Sequence, residues 1–267
     1  MDSTFLKWAG GKNWFIRKHA DLFPKEYKRY IDPFLGGGVV YFYLEPSKAI
    51  VNDINSELIT TYQAIKEDWS KVEKELKKHS KNHSKEYYYK VRSTRPQTPH
   101  TIAARMIYLN RTCFNGIYRV NREGSFNVPI GSKTTVLLPT DLFEDRANIM
   151  RGTKFKNEDF EKIINLAKEG DLLFCDPPYA VQDEDNHFVG YTKNLFNWGD
   201  QVRLAKAIER ARLRGVKIIL TNVNHKSVRE LYDDNLYKLI EDTRFSSLSG
   251  RSSGRVQYKE LIVTANI

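Results

Sequence analysis

Short, mostly apolar runs alternate with longer amphipathic stretches along much of this chain. The runs at Leu172–Cys175, 49–53 and 216–220 have the composition of parallel strands that are buried on both faces. Further strands are predicted at Tyr30–Asp32 and Thr153–Lys156. Because predicted helices separate several of these runs, the pattern indicates an α/β fold around a mostly parallel sheet.

The strongest helical pattern covers residues 54–79. Apolar side chains recur there at alternating steps of four and three residues, which places them on one face of a helix. The opposite face mixes lysines with glutamates, as solvated helix faces usually do. A second helix is predicted from about 101 to 109. The apolar stripe of the first helix consists of Leu58, Tyr62, Ile65, Trp69, Val72 and Leu76.

Residues 80–131 interrupt the alternation of strands and helices. The first part of this block, 80–100, is polar and basic, and the stretch 122–125 lies between two alternating runs, which predicts a β-hairpin turn. Arg119 and Asn121 stand at the stem of that hairpin. A basic, aromatic hairpin can enter a DNA groove, where arginine suits the O6 and N7 atoms of guanine. An ordinary surface hairpin is the alternative.

The alternation resumes after this block. A helix is predicted to run through Ala167 and to stop at Gly170, and another is predicted over 201–213. The last strands are predicted near 236–240 and 260–265.

Two long segments in this half show no periodicity. The stretch 180–198 is predicted to be a loop that serves as a lid or contacts DNA. The stretch 243–255 contains three arginines, no acid and many serines and glycines. It suits phosphate contact, with an unstructured connection as the alternative.

The charge of the chain indicates an anionic partner. The 267 residues carry a net charge of +10 and have a pI near 9.4, which is typical of proteins that bind nucleic acid. Two cysteines, Cys113 and Cys175, give neither a disulfide framework nor a zinc pattern, so a reducing cytosol fits. His79 and His83 stand in a lysine-rich segment and are interpreted as part of a solvated basic face. No signal peptide or membrane-spanning run is expected.

The sequence Asp176-Pro177-Pro178-Tyr179 carries the sharpest chemical signal. It follows a predicted strand, and ligand crevices in open α/β sheets lie at the carboxyl ends of strands. Both prolines lack an N–H and rigidify the turn. Carboxylate and carbonyl oxygens can accept hydrogen bonds from an amino group while the tyrosine stacks on its ring. The sequence therefore predicts a pocket for a nucleobase amino group, with a proline-rich loop as the alternative.

Two glycine-containing stretches precede it. In residues 30–42 a strand leads into a turn with Gly36, and the following strand ends at Asp53. This layout is typical of nucleoside-binding α/β halves, in which an acid binds ribose hydroxyls. The stretch 5–12 contains Gly10-Gly11 flanked by Lys7, Trp8 and Lys12 and predicts a ligand site; a turn with two lysines is the alternative.

Taken in order, these motifs resemble those of the DNA adenine-N6 methyltransferases of the Dam family. The resemblance spans nearly the whole chain and implies a Rossmann-like S-adenosylmethionine-dependent methyltransferase fold with an inserted, mainly helical plus β-hairpin DNA-recognition domain. Residues 1–56 and 145–267 would form the catalytic domain, and 57–144 the insertion. The matching segments are 7–12, 32–38, 52–55, 110–131, 176–179 and 260–264.

The resemblance also implies roles for individual residues, with no metal among the ligands. Asp176, Pro177 and Tyr179 match the catalytic motif. The implied S-adenosylmethionine contacts are Trp8, Lys12, Phe34, Gly36, Asp53, Asp159, Phe160 and Asp176. The implied DNA contacts are Lys7, Arg111, Phe114, Asn115, Ile117, Arg119, Asn121 and Pro129.

The expected reaction is methylation of adenine N6 in duplex DNA by base flipping, within GATC. The pair Thr112-Cys113 and Ser125 depart from the pattern of most GATC readers, so a different GAT-containing site is one alternative. Methylation of cytosine N4 or of an RNA base is another, and a non-catalytic DNA-binding regulator on a methyltransferase scaffold is a third. A monomer in the cytoplasm of a bacterial or phage-infected cell is expected, and a separate cognate restriction endonuclease is left open as a partner.

Overall fold

The computed structural model describes residues 4–116, 118–121, 125–182, 196–245 and 257–267. It confirms the predicted α/β class, with a seven-stranded mixed sheet. The chain folds into two compact units. The first unit comprises 1–18, 35–47 and 55–157, and the second comprises 19–34, 48–54 and 158–267. The predicted insertion, 57–144, lies within the last segment of the first unit, and its boundaries stay a prediction.

The second unit contains six strands of the sheet. Four of them are parallel, in the spatial order β2-β1-β4-β5, and β7 and β6 follow on the β5 side in antiparallel pairing. The parallel strands confirm the predictions at 30–32, 49–53, 172–175 and 216–220. The strands are β1 (Tyr30–Asp32), β2 (Ala49–Asn52), β4 (Leu172–Cys175), β5 (Lys217–Val223), β6 (Lys238–Phe245) and β7 (Gln257–Ala265), and β3 (Thr153–Lys156) belongs to the first unit.

The register of the parallel strands places their ends at one edge. Ile31 lies beside Ile50 on one side and Leu173 on the other, so β1, β2 and β4 finish almost level. The strands are wholly buried, because helices such as α7 (Phe160–Asn165) and α8 (Trp198–Leu213) contribute to the same hydrophobic core. The polar residues that follow these strands are therefore gathered at one edge of the sheet.

Helices dominate the first unit. The predicted helix at 54–79 is α3 (Ser56–Asn82), which begins after Asn55 caps the backbone N–H of Leu58. Five members of its predicted stripe are completely buried, and Trp69 is half-buried. The remaining α-helices among the described residues are α1 (Asn13–His19), α2 (Val39–Leu44), α4 (Lys85–Ser93), α5 (Pro99–Thr112), α6 (Phe143–Ile149) and the short α9 (Lys226–Arg229).

The polar stretch 80–100 contains a helix that the apolar pattern did not reveal. Helix α4 begins after Ser84, whose hydroxyl accepts the backbone N–H of Tyr87, and it buries Tyr88 completely. The interpretation of His79 and His83 as part of a solvated face was wrong. Both are half-buried and hydrogen-bonded to tyrosines, and burial lowers the pKa of His79 to about 4. Aromatic partners from α4 and α5 shield them from water.

Cys113 and Cys175 are both buried and in the thiol form. Among the helices that the structure describes, none combines the length and the apolar character needed to cross a lipid bilayer.

Candidate active site

Asp176 emerges from the buried end of β4 with its carboxylate held in place. The hydroxyl of Thr221 on β5 donates to Asp176 Oδ1 at 3.0 Å. Asp176 is half-buried, and Pro177 behind it is buried. Since the chain turns at two prolines, the carboxylate and the Pro177 carbonyl are fixed acceptors at the sheet edge.

The hydroxyl of Tyr179 is held by a hydrogen bond. The phenol donates to the carboxylate of Glu260 on β7, and the Nε–H of Arg244 on β6 donates to the other oxygen of that carboxylate. Glu260 has no exposed surface. Burial, followed by the negative charges of Glu260 and Asp176, raises the pKa of Tyr179 well above 10. The phenol therefore stays protonated and remains a donor.

Asp32, at the end of β1, is a site residue that the sequence analysis missed. Its carboxylate accepts the hydroxyl of Tyr30 at 2.9 Å and the backbone N–H of Phe34 at 3.0 Å. Burial is the main cause that raises its pKa from 3.8 to about 7, and the negative charges of Asp176 and Asp53 add to the rise. The available signal was its position: like Asp53 and Asp176, it stands at the end of a parallel strand.

We expect Asp32 to make the stability of the protein fall as the pH rises. The folded-state pKa lies above the unfolded value, so the folded state binds more protons between about pH 4 and 7. Stability is greatest below that window and declines through it, by roughly 4 kcal/mol at most. Asp32→Asn should remove this decline when free energies of unfolding are measured by urea titration at several pH values.

The exposed Asp234 provides the matched control for that titration. Asp234→Asn should leave the pH dependence of the wild type unchanged. Parallel pH profiles for the wild type and Asp32→Asn would show that Asp32 is ionised throughout the range.

A group of aromatic side chains lies at the same edge of the second unit. The rings of Phe34 and Phe160 are 5.4 Å apart, and Phe196 meets Phe34 edge to face at 5.9 Å. Asp159 begins α7, with its side chain accepting the backbone N–H of Glu161, and Arg203 lies over the Phe160 ring at 4.7 Å. Aromatic rings beside carboxylates suit a nucleoside.

Asn52 fixes the loops around this edge. Its amide nitrogen donates to the carbonyls of Pro33 and Glu158, each at 3.0 Å, and its oxygen accepts the Glu158 N–H at 2.9 Å. The side chain is 2% exposed. One buried amide thus holds the loop after β1 against the segment that leads into α7.

In the first unit, Trp8 lies close to the glycine turn. Its indole stacks on Tyr118 with ring centroids 5.3 Å apart. A Cβ added at Gly36 or at Gly37 would come within 2.9 Å of a Trp8 side-chain atom. Glycine is therefore required at these positions for the backbone to approach the indole. Lys12 is 4% exposed, and its ammonium donates to the Gly10 carbonyl at 2.9 Å.

Lys7 is hydrogen-bonded both to α5 and to the segment that follows it. Its backbone N–H donates to Asn110 Oδ1 at 2.9 Å, and Asn110 returns a hydrogen bond to the Lys7 carbonyl at 2.8 Å. The Lys7 ammonium donates to the carbonyl of Asn115. Phe114 is 56% exposed, which is unusual for a phenylalanine, and Pro129 accepts its backbone N–H.

The stem of the predicted hairpin is present. Val120 and Phe126 form an antiparallel bridge, and the Asn121 side chain accepts the backbone N–H of Ser125 at 2.9 Å. Arg119 is exposed, with its Nε–H donating to Asn127 at 3.1 Å. Lys7, Phe114, Asn115, Arg119, Asn121 and Pro129 all belong to the first unit.

Arg111 differs from the other predicted DNA contacts because it is 8% exposed. Its guanidinium forms a bidentate ion pair with Asp141, at 2.5 and 2.8 Å, and donates to the carbonyls of Phe5 and Val136. These contacts give it a structural role. Its contact with DNA stays a prediction.

Several sequence predictions fall outside the described residues. Ile117 is one of them, as are the hairpin-turn residues 122–124, most of the predicted loop 180–198, and the part of the basic stretch from 246 to 255.

The predicted cofactor contacts are divided between the two units. Trp8, Lys12 and Gly36 belong to the first unit. In the second unit, Phe34 contacts Phe160. Asp53 and Asp176 are both near enough to Asp32 to raise its pKa.

Comparison with known proteins identifies a family. A model described as D12 class N6 adenine-specific DNA methyltransferase matches residues 8–248. The type II methyltransferase M1.LlaDCHI of Lactococcus lactis subsp. cremoris is 37% identical over 97% of this chain and 94% of its own length. The type II methyltransferase M.MjaIII of Methanocaldococcus jannaschii is 34% identical, covering 97% and 98%. A DNA adenine methylase of Haemophilus influenzae is 32% identical, covering 97% and 92%.

Proposed function

Because the chain belongs to the D12 class of N6 adenine-specific DNA methyltransferases, we propose that Asp176, Pro177 and Tyr179 hold the target amino group during methyl transfer. The protein is an enzyme that methylates adenine N6 in DNA, with S-adenosylmethionine as methyl donor. The observation that carries the assignment of roles is the anchored Asp176 carboxylate beside the tethered Tyr179 ring.

The donor set at the sheet edge fits S-adenosylmethionine. The donor supplies an electrophilic methyl group on a cationic sulfonium. Burial, with the negative charges of Asp176 and Asp53 added to it, raises the pKa of Asp32, and the negative potential of these carboxylates favours a cation. The rings of Phe34 and Phe160 provide a surface for the adenine of the donor, and Asp53 is an acceptor for its ribose hydroxyls.

Asp176 and Pro177 orient the substrate nitrogen. The carboxylate and the Pro177 carbonyl accept the two N6 hydrogens, which directs the nitrogen lone pair toward the methyl group. As positive charge develops on N6 during transfer, the carboxylate stabilises it. No covalent nucleophile on the protein is required, because positioning and electrostatic stabilisation supply the catalysis.

We further propose that the adenine leaves the DNA stack before it reacts. Its amino group is otherwise inside the duplex, and flipping costs about a few kcal/mol. The exposed Phe114 and its neighbour Asn115, whose carbonyl is held by Lys7, are suited to occupy the vacated position. Tyr179 stacks on the flipped base.

GATC is the recognition sequence that we propose. Lys7, Arg119 and Pro129 match the reading positions of the Dam family, and Arg119 is exposed at the hairpin stem. The alternative is another GAT-containing site, which is favoured by the departures at Thr112-Cys113 and Ser125. Two of the similar proteins are named type II methyltransferases, and another is named DNA adenine methylase.

We expect Arg119→Ala to relax the choice of base at one guanine by about 1–3 kcal/mol, because it removes a bidentate contact to O6 and N7. The measurement is kcat/KM on duplexes that carry each base at that position. Arg95→Ala is the control, since Arg95 donates to Ser125 near the same hairpin and is not assigned to base reading. A uniform loss across all duplexes would make Arg119 a phosphate contact instead.

Incubation of the protein with plasmid and labelled S-adenosylmethionine, followed by mapping of the modified bases, tests the proposed function. Label in adenines of GATC supports it, and label in adenines of another GAT-containing site selects the alternative. DNA binding without transfer would favour the regulator. Label in cytosine or RNA would overturn the substrate assignment.

We propose that the enzyme acts as a monomer in the cytoplasm of a bacterial or phage-infected cell, where duplex DNA is accessible. A cognate restriction endonuclease acting separately would fit the type II names of two similar proteins.

A further inference from the structure

We infer that Glu260 and Arg244 are positioning residues that fix the plane of the Tyr179 ring for stacking on the target adenine. The inference rests on the proposed role of Tyr179. It begins from the three-residue network in which the Tyr179 hydroxyl and the Arg244 guanidinium donate to the two oxygens of one buried carboxylate.

The backbone of Glu260 is held on both sides. Strand β7 lies between β5 and β6, and Glu260 is opposite Val223 on the first and Asp242 on the second. A residue in the interior of a sheet moves less than one on a loop, so it is a rigid anchor for a functional side chain. By contrast, Tyr179 follows two prolines in a turn and needs an external support to fix its ring.

Arg244 makes this anchor electrostatically stable. An ionised carboxylate with no exposed surface is costly unless a cation and hydrogen-bond donors surround it. Arg244 supplies the cation, and its own guanidinium lies 4.9 Å from the centre of the Tyr258 ring. A carboxylate paired with a cation in this way binds the Tyr179 phenol more strongly than a neutral acceptor would.

The ring of Tyr179 is thereby fixed at both ends. The peptide after Pro178 holds its Cβ, and Glu260 holds its hydroxyl, so rotation of the ring about its χ angles is restricted. A stacking surface of fixed orientation contributes to the near-attack geometry of the amino group. Removal of the tether should therefore reduce the rate of the chemical step more than the binding of either substrate.

The variants that test this are Tyr179→Phe, Glu260→Gln and the two combined. Tyr179→Phe retains the ring and the Glu260–Arg244 ion pair but loses the tether. We expect kcat to fall about 10- to 100-fold, with the KM for S-adenosylmethionine and the thermal midpoint nearly unchanged. Fluorescence of 2-aminopurine at the target position should still report base flipping. Adding Glu260→Gln to Tyr179→Phe should lower kcat no further.

The chain contains a matched control of the same chemistry. The hydroxyl of Tyr237 donates to Glu209 at 2.6 Å, and Arg212 donates to both oxygens of that carboxylate. This second network lies on α8 and beside β6, and none of its members is assigned to the site. Tyr237→Phe should leave kcat at the wild-type value.

Two outcomes would overturn the inference in an active wild type. One is an unchanged kcat in Tyr179→Phe. The other is a fall in kcat on Glu260→Gln that is as large in the Tyr179→Phe background as in the wild type. Glu260 would then act independently of the phenol. If Glu260→Gln does not fold, Tyr179→Phe alone decides. Failure of the proposed function has a different signature, namely a wild type that transfers no methyl group to DNA.

Discussion

Asp176→Ala is expected to lower methyl transfer by about 1,000-fold or more while leaving DNA binding largely intact. The substitution removes the acceptor that orients the amino group and stabilises the charge that develops on N6. The Thr221 hydroxyl loses this acceptor, but β5 is paired with a strand on each side, so the fold should persist. Single-turnover rates with labelled S-adenosylmethionine measure the chemistry, and gel-shift titration with a duplex measures DNA binding.

Asp234→Ala removes an exposed carboxylate from the same unit and should retain full activity. Unchanged methylation by Asp176→Ala would contradict the assignment of the catalytic motif. If Asp176→Ala lowered DNA affinity as much as activity, Asp176 would instead be needed for the DNA-binding form of the protein.

Arg111→Ala is expected to lower the free energy of unfolding by about 3–5 kcal/mol. The loss follows because Asp141 is 5% exposed and would keep a buried charge without its cation. The carbonyls of Phe5 and Val136 would also lose their donor. Urea titration measures the change, and the combined variant Arg111→Met with Asp141→Asn should recover part of it by removing both charges.

The same variant separates the structural role of Arg111 from its predicted contact with DNA. A phosphate contact would reduce the slope of log K against log salt by about 0.9. At a temperature where Arg111→Ala is folded, a slope equal to that of the wild type would leave Arg111 with its structural role alone. Arg119→Ala, at an exposed arginine of the same unit, is the control for stability and should change the free energy of unfolding little. A reduced slope for Arg111→Ala together with wild-type stability would support the predicted DNA contact.

Local sequence patterns predicted the framework of the fold. The central strands are short apolar runs, and parallel strands end at a common edge, so the positions of Asp53 and Asp176 at that edge followed from the pattern. Helix α3 was also predicted from a local pattern, because its apolar stripe repeats over many turns. Helix α4 was missed because its nine residues carry mostly polar side chains and its start depends on the cap at Ser84.

The supports of the site could not be predicted in this way. Glu260 is 81 residues from Tyr179 along the chain, and Arg111 is 30 residues from Asp141. No local pattern encodes such pairings, which arise only when the sheet and the helices assemble. The DNA contact of Arg111 was implied only by the family resemblance, and its ion pair with a buried carboxylate became visible only in the tertiary structure.

We expect the proton on Asp32 to make binding of the methyl donor at this sheet edge depend on pH. With a pKa raised to about 7, the carboxyl carries a proton in many molecules near neutral pH. A cation that arrives beside the carboxylates favours their ionised form and expels that proton. Binding of the cationic sulfonium donor is then accompanied by release of the Asp32 proton, so that one positive charge replaces the other. By thermodynamic linkage, the affinity for the donor increases as the pH rises through neutrality, while the net charge at the edge changes little.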